Sequence, residues 1–197
     1  MPFPFKIRLW FLLLGHLGLL VAGIVYLSKA RNSNTQGLLA ASLLSTFFSI
    51  LIQAASWWDW WDHYLLDPRW LGRINLYTWV MSGSLAFILS FKEPDPAMKR
   101  VLWGIGLIYL IHGVFVYPSF MLFLRGWAWG SIYSHMFSFF FWSGIPILFL
   151  LHMGDERFTR NINFGPSLVL ALHSLLAALS YLTFFWHHFF GASGALS

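Results

Sequence analysis

Residues 101–124 read VLWGIGLIYLIHGVFVYPSFMLFL, an unbroken apolar run without a single Lys, Arg, Asp or Glu. About 20 such residues wound as a helix cross the roughly 30 Å hydrocarbon layer of a bilayer. A strand needs far fewer, so the run reads as a transmembrane helix with His112 near its middle. Outward from it, runs of the same kind lie near Arg8–Leu27, Gly37–Trp58, Ile74–Phe91, Ser131–His152 and Asn163–Trp186, none with an internal charge. The expected fold is therefore all-α: a polytopic integral membrane bundle of about six transmembrane helices, forming one domain over residues 1–197.

Composition agrees. Of the 197 residues, 58% are hydrophobic, 20% aromatic and only 10% charged, where a soluble domain carries about 25% charge. That excludes a water-soluble globule, and 21 Phe with 12 Trp exclude a disordered or low-complexity chain. With no cysteine, disulfides, thiolate metal ligands, iron–sulfur clusters and cysteine nucleophiles are excluded too. The net charge of +5 is scattered at the ends of apolar runs, which suits anionic headgroups, so the lipid bilayer is the expected partner and nucleic acid is not.

The runs are separated by polar, turn-forming breaks: Arg31-Asn32-Ser33-Asn34, Lys92-Glu93-Pro94-Asp95-Pro96, Arg125-Gly126 and Gly154-Asp155-Glu156-Arg157. Short connections imply antiparallel neighbours. Lys6 and Arg8 precede a first run longer than the usual signal-peptide core, so an uncleaved first span is expected. If all six runs cross, the N-terminus, second and fourth loops and C-terminus share face A. The loops at 28–36, 92–100 and 153–162 share face B. Face A holds Lys6, Arg8, Arg69, Arg73 and Arg125, against Lys29, Arg31, Lys92, Lys99, Arg100, Arg157 and Arg160 on face B. The larger basic group puts face B in the cytoplasm. Pro118 and Pro146 fall inside the fourth and fifth runs, where each should kink its helix.

No phosphate loop, Gly-x-Ser-x-Gly elbow, His-Glu-x-x-His or fixed-period repeat occurs. Chemistry is instead expected at two histidine zones. The first begins in Trp57-Trp58-Asp59-Trp60-Trp61-Asp62-His63-Tyr64. Tryptophans belong at the headgroup level, but three acids, Asp59, Asp62 and Asp67, gather around His63. Continued helix would put Asp59 and His63 on one face, as a carboxylate-oriented imidazole or two ligands of one metal. Topology brings His135, His187 and His188 toward the same level. Together the five offer oxygen and nitrogen donors suited to zinc, copper or iron, or else interfacial groups bonded to water and headgroups.

The second zone is at mid-depth. His16, His112 and His173 each lie near the middle of a run, where polar groups are costly and mark functional candidates by default. They could bind a metal, ligate haem iron from neighbouring helices, or bond a Ser, Tyr or carbonyl across a helix contact. Ala41, Ser45, Ser49 and Gln53 form a small, polar stripe on the second run, either a helix seam or the lining of a cavity toward Asp59.

Two local resemblances follow. His173 and His187, fourteen apart on one run with Ser180 between, resemble the spacing in cytochrome b subunits that stack two haems. The matching partner helix is missing, since His135 and His152 would stand about 25 Å apart along a straight helix. Asp59-x-x-x-His63 after an aromatic run resembles the ligand motif in the C subunit of copper membrane monooxygenases. That family continues with another His where this chain has Leu76.

The leading expectation is an integral membrane redox or metal-dependent protein holding a metal ion or haem through these histidines and Asp59. Alternatives are a non-catalytic subunit of a larger membrane complex, bound to other membrane subunits, and a neutral-substrate transporter. No carboxylate lies within a run, which counts against proton or cation coupling. A copper monooxygenase-like protein, or a zinc-dependent membrane hydrolase with Asp62 as base, is a further alternative. The sequence names no substrate or catalytic residue.

Overall fold

The computed structural model describes residues 3–57, 68–124 and 128–190, with side chains over 10–51, 74–113 and 136–182. Among them are seven helices and no strand: α1 (Phe3–Lys29), α2 (Ser33–Trp57), α3 (Pro68–Lys92), α4 (Pro96–Leu124), α5 (Ala128–His152), α6 (Glu156–Thr159) and α7 (Phe164–Phe190). Each apolar run falls on one long helix, and the four-residue α6 sits in the loop after α5. Stretches long and apolar enough to cross a membrane are Trp10–Lys29, Ile74–Lys92 and Phe164–Leu182, with a shorter apolar stretch at Met136–His152.

Most helices outrun the apolar stretches that announce them. The Gly37 run begins at Ser33 in the structure, the Ile74 run at Pro68, and the Val101 run at Pro96. Hydropathy marks only the hydrocarbon-compatible part, whereas helical hydrogen bonding continues until a cap ends it. The break residues are those caps. The Asn32 side chain accepts from Asn34 N–H at 2.9 Å, that of Asp95 from Ala97 at 3.1 Å, and that of Asp155 from Arg157 at 2.9 Å. Each satisfies a first-turn donor that has no partner within the helix. Pro68 and Pro96 open their helices, where a missing N–H costs nothing. Pro146 lies inside α5, which continues past it.

The six long helices close into a ring. Neighbours pack in the order α1, α2, α3, α4, α5 and α7, α7 returns to α1, and α7 also reaches across to α2 and α4. The core lies where α3, α4, α5 and α7 meet, around Tyr109, Trp142, Ile105, Leu102, Ile145 and Leu170, all fully buried. Glycines let α3 and α4 approach. A Cβ on Gly106 would sit 2.9 Å from the backbone of Phe87, and one on Gly83 would sit 2.8 Å from Tyr109 Cβ. Small residues at such a crossing are the usual means of close contact between membrane helices. Outward faces carry Phe11, Tyr77, Phe140, Leu150 and Leu151, all strongly exposed. That surface is compatible with lipid contact.

Candidate functional site

His16, His112 and His173 come from α1, α4 and α7, and all three are buried, two of them completely. His173 occupies the centre. Its Nδ1 lies 2.8 Å from the Tyr109 hydroxyl of α4, and its Nε2 lies 3.2 Å from Ser49 Oγ of α2. A neutral imidazole has one donor and one acceptor nitrogen, and two hydroxyls answer both. Tyr109 also points its hydroxyl at the Leu170 carbonyl, 3.4 Å away. His16 meets the His173 ring edge-on, with centroids 5.7 Å apart, and its own Nδ1 lies 2.8 Å from the Leu12 carbonyl one turn earlier.

His112 is held differently. Trp142 of α5 donates its indole N–H to His112 Nε2 at 2.8 Å, and the Tyr181 hydroxyl of α7 lies 3.2 Å from the same nitrogen. Indole can only donate, so Nε2 is the acceptor and the ring proton resides on Nδ1. The Trp142 ring packs against Tyr109, His112 and Trp79 with centroids 4.6, 4.6 and 5.3 Å apart. Aromatic edges and faces thus fill the space around the imidazoles. Nδ1 of His112 and Nε1 of Trp79 are buried without a hydrogen-bond partner. Their rings lie 5.1 Å apart.

The α2 stripe is a helix seam over its described part. Ser45 donates to Thr78 of α3 at 3.2 Å, Ser49 meets His173 of α7, and Ala41 is buried. The side chain of Gln53 lies outside the described residues, as do Asp59 and His63 altogether. His135 falls in the early part of α5 and His187-His188 near the end of α7, with their side chains likewise outside. Of the expected sets, the structure brings His16 and His173 into ring contact, and His112 is linked to His173 through the Trp142 ring that lies against both. Among the described residues, no group of three His, Asp or Glu side chains is placed to hold a metal ion.

Sequence reading missed the partners that decide what these histidines do: Tyr109, Trp142, Trp79 and Tyr181. One signal was present, since Tyr109 stands one helical turn before His112 and Tyr181 two turns after His173. Pairing them with histidines of other helices requires the ring order. No family model, curated protein or solved structure matches the chain.

Proposed function

We propose that the chain is a six-span integral membrane protein that serves as a non-catalytic subunit of a larger membrane complex, its midplane histidines joining helices rather than holding a cofactor. One observation supports the structural role of the histidines: both ring nitrogens of His173 meet hydroxyls from α2 and α4, so a metal ion would have to displace one of these contacts to reach the ring. Six helices of 25 to 29 residues reach about 37–44 Å at 1.5 Å per residue, enough to cross with some tilt. The basic excess of the 28–36, 92–100 and 153–162 loops orients that face to the cytoplasm. Neutral-substrate passage along the α2 stripe loses ground because Ser45 and Ser49 are used in helix contacts.

Extraction from the native membrane in a mild detergent tests the reading. The expected result is a particle of fixed stoichiometry, heavier than the 22.8 kDa chain, with no absorption band that depends on His16, His112 or His173. A monodisperse single chain that turns over a substrate would contradict it.

A second reading is a metal centre at the opposite end, formed by Asp59, His63, His135, His187 and His188. It is favoured by topology alone: α2 ends, α5 begins and α7 ends at that side of the ring. Elemental analysis of wild type, Asp59→Ala and His63→Ala decides it, the reading requiring near-stoichiometric copper, zinc or iron that both variants lose.

A further inference from the structure

At the end of the bundle carrying the 28–36, 92–100 and 153–162 loops, a pocket of about 270 Å³ is lined by Asn32, Asn34, Leu89, Lys92, Glu93, Pro94 and residues 161–163. It lies apart from the histidine core, and its polar end is built around Glu93. That carboxylate is only 8% exposed. Its Oε1 accepts from Asn161 Nδ2 at 2.9 Å and from the Asp95 backbone N–H at 3.2 Å, and its Oε2 accepts from Asn163 Nδ2 at 2.7 Å. Asn163 Oδ1 in turn accepts from Thr35 Oγ1 at 3.2 Å. All these donors are neutral. The one ion pair among the described residues joins Arg160 to Glu156 in α6, so neither Glu93 nor its exposed neighbour Lys92 has a charged partner there.

The pocket therefore presents one buried carboxyl group and one exposed amino group side by side. It also has amide groups able to donate or accept, and an apolar edge of Leu89 and the 60% exposed Ile162. Its place at the helix ends corresponds to the headgroup level of a bilayer. We propose that it binds the headgroup of a zwitterionic phospholipid of the ethanolamine class. The primary ammonium bonds to Glu93 and the asparagine carbonyls, the phosphodiester meets Lys92, and the acyl chains leave past Ile162.

The chemistry selects among headgroups. A primary ammonium brings N–H donors, which a carboxylate still bearing lone-pair capacity accepts with charge assistance. A quaternary choline has no such donor and is usually held by aromatic faces; the pocket lining contains no aromatic ring. An anionic headgroup lacking an amine would gain Lys92 but face the Glu93 charge without compensation.

Native mass spectrometry of the full chain in detergent, titrated with phosphatidylethanolamine, phosphatidylcholine and phosphatidylglycerol of identical acyl chains, tests this. The wild type should retain the ethanolamine lipid about threefold to tenfold more than either other lipid, the range expected for one charge-assisted contact near solvent. Glu93→Gln should abolish that preference, and Lys92→Ala should weaken retention of all three lipids. Lys92 is exposed and outside the amide network, so its variant keeps the test valid if Glu93→Gln fails to fold. Equal retention of the three lipids by wild type, or retention of all three that Lys92→Ala leaves unchanged, overturns the proposal. Soluble glycerophosphoethanolamine binding as tightly as the lipid would move the ligand from bilayer to solution and overturn the lipid assignment.

Discussion

Two of the places where the bundle buries polar groups solve the problem differently. In the histidine core the buried groups are imidazole, phenol, indole and hydroxyl, interleaved with rings. At the helix ends the buried group is the side-chain carboxyl of Glu93, held by asparagine amides and a loop N–H. Access to water explains the contrast. An unpaired charge among fully buried rings is costly, whereas at the helix ends loop amides and solvent share the burden. The middle of the molecule thus reads as a packing device, and its end as a place where charge can meet a ligand.

Substitutions sharpen this comparison. The largest effect belongs to the middle. Trp142→Ala removes a fully buried ring and the donor to His112, and thermal or denaturant unfolding should show a loss of about 3–5 kcal/mol. Next comes the α3–α4 crossing. Gly106→Ala drives a methyl against the Phe87 backbone and should cost about 1–3 kcal/mol. Gly18→Ala, where nothing lies within 4 Å of the added carbon, should change stability by less than about 0.5 kcal/mol. Equal losses at the two glycines would break the account of that seam.

At the end of the bundle, Glu93→Ala strands the amides of Asn161 and Asn163, and the same unfolding assay should report about 1–2 kcal/mol. A loss matching that of Trp142→Ala would mean that the charged end, rather than the aromatic middle, organises the fold. A smaller effect is the coupling between Ser49 and His173. A double-mutant cycle with Ser49→Ala and His173→Phe should give about 0.6 kcal/mol, the mean for hydrogen bonds between membrane helices. A coupling of zero would remove the bond from the account.

Much of the architecture was legible in the sequence because the bilayer imposes a length rule that apolar runs obey. The six long helices and the absence of strands over the described residues agree with it, the four-residue α6 was not expected, and the caps Asn32, Asp95 and Asp155 stand in the breaks where turn chemistry pointed. Helix starts such as Pro68 were illegible to hydropathy, since a helix continues beyond the oily layer. Burial of His16, His112 and His173 was foreseen from position within each run. Their partners were not, because a partner is a property of ring order and helix rotation, which no single run encodes. Glu93 looked like one residue of a loop, and only the folded chain shows it clasped by asparagines almost seventy residues away.

The most direct test of the central claim is an optical spectrum with elemental analysis on detergent-purified protein that has never met a chelator, compared between wild type and His173→Gln. The account predicts no Soret band and a metal content that is the same in both proteins. A Soret band, or stoichiometric copper, iron or zinc that His173→Gln abolishes, would contradict it and make the midplane histidines ligands.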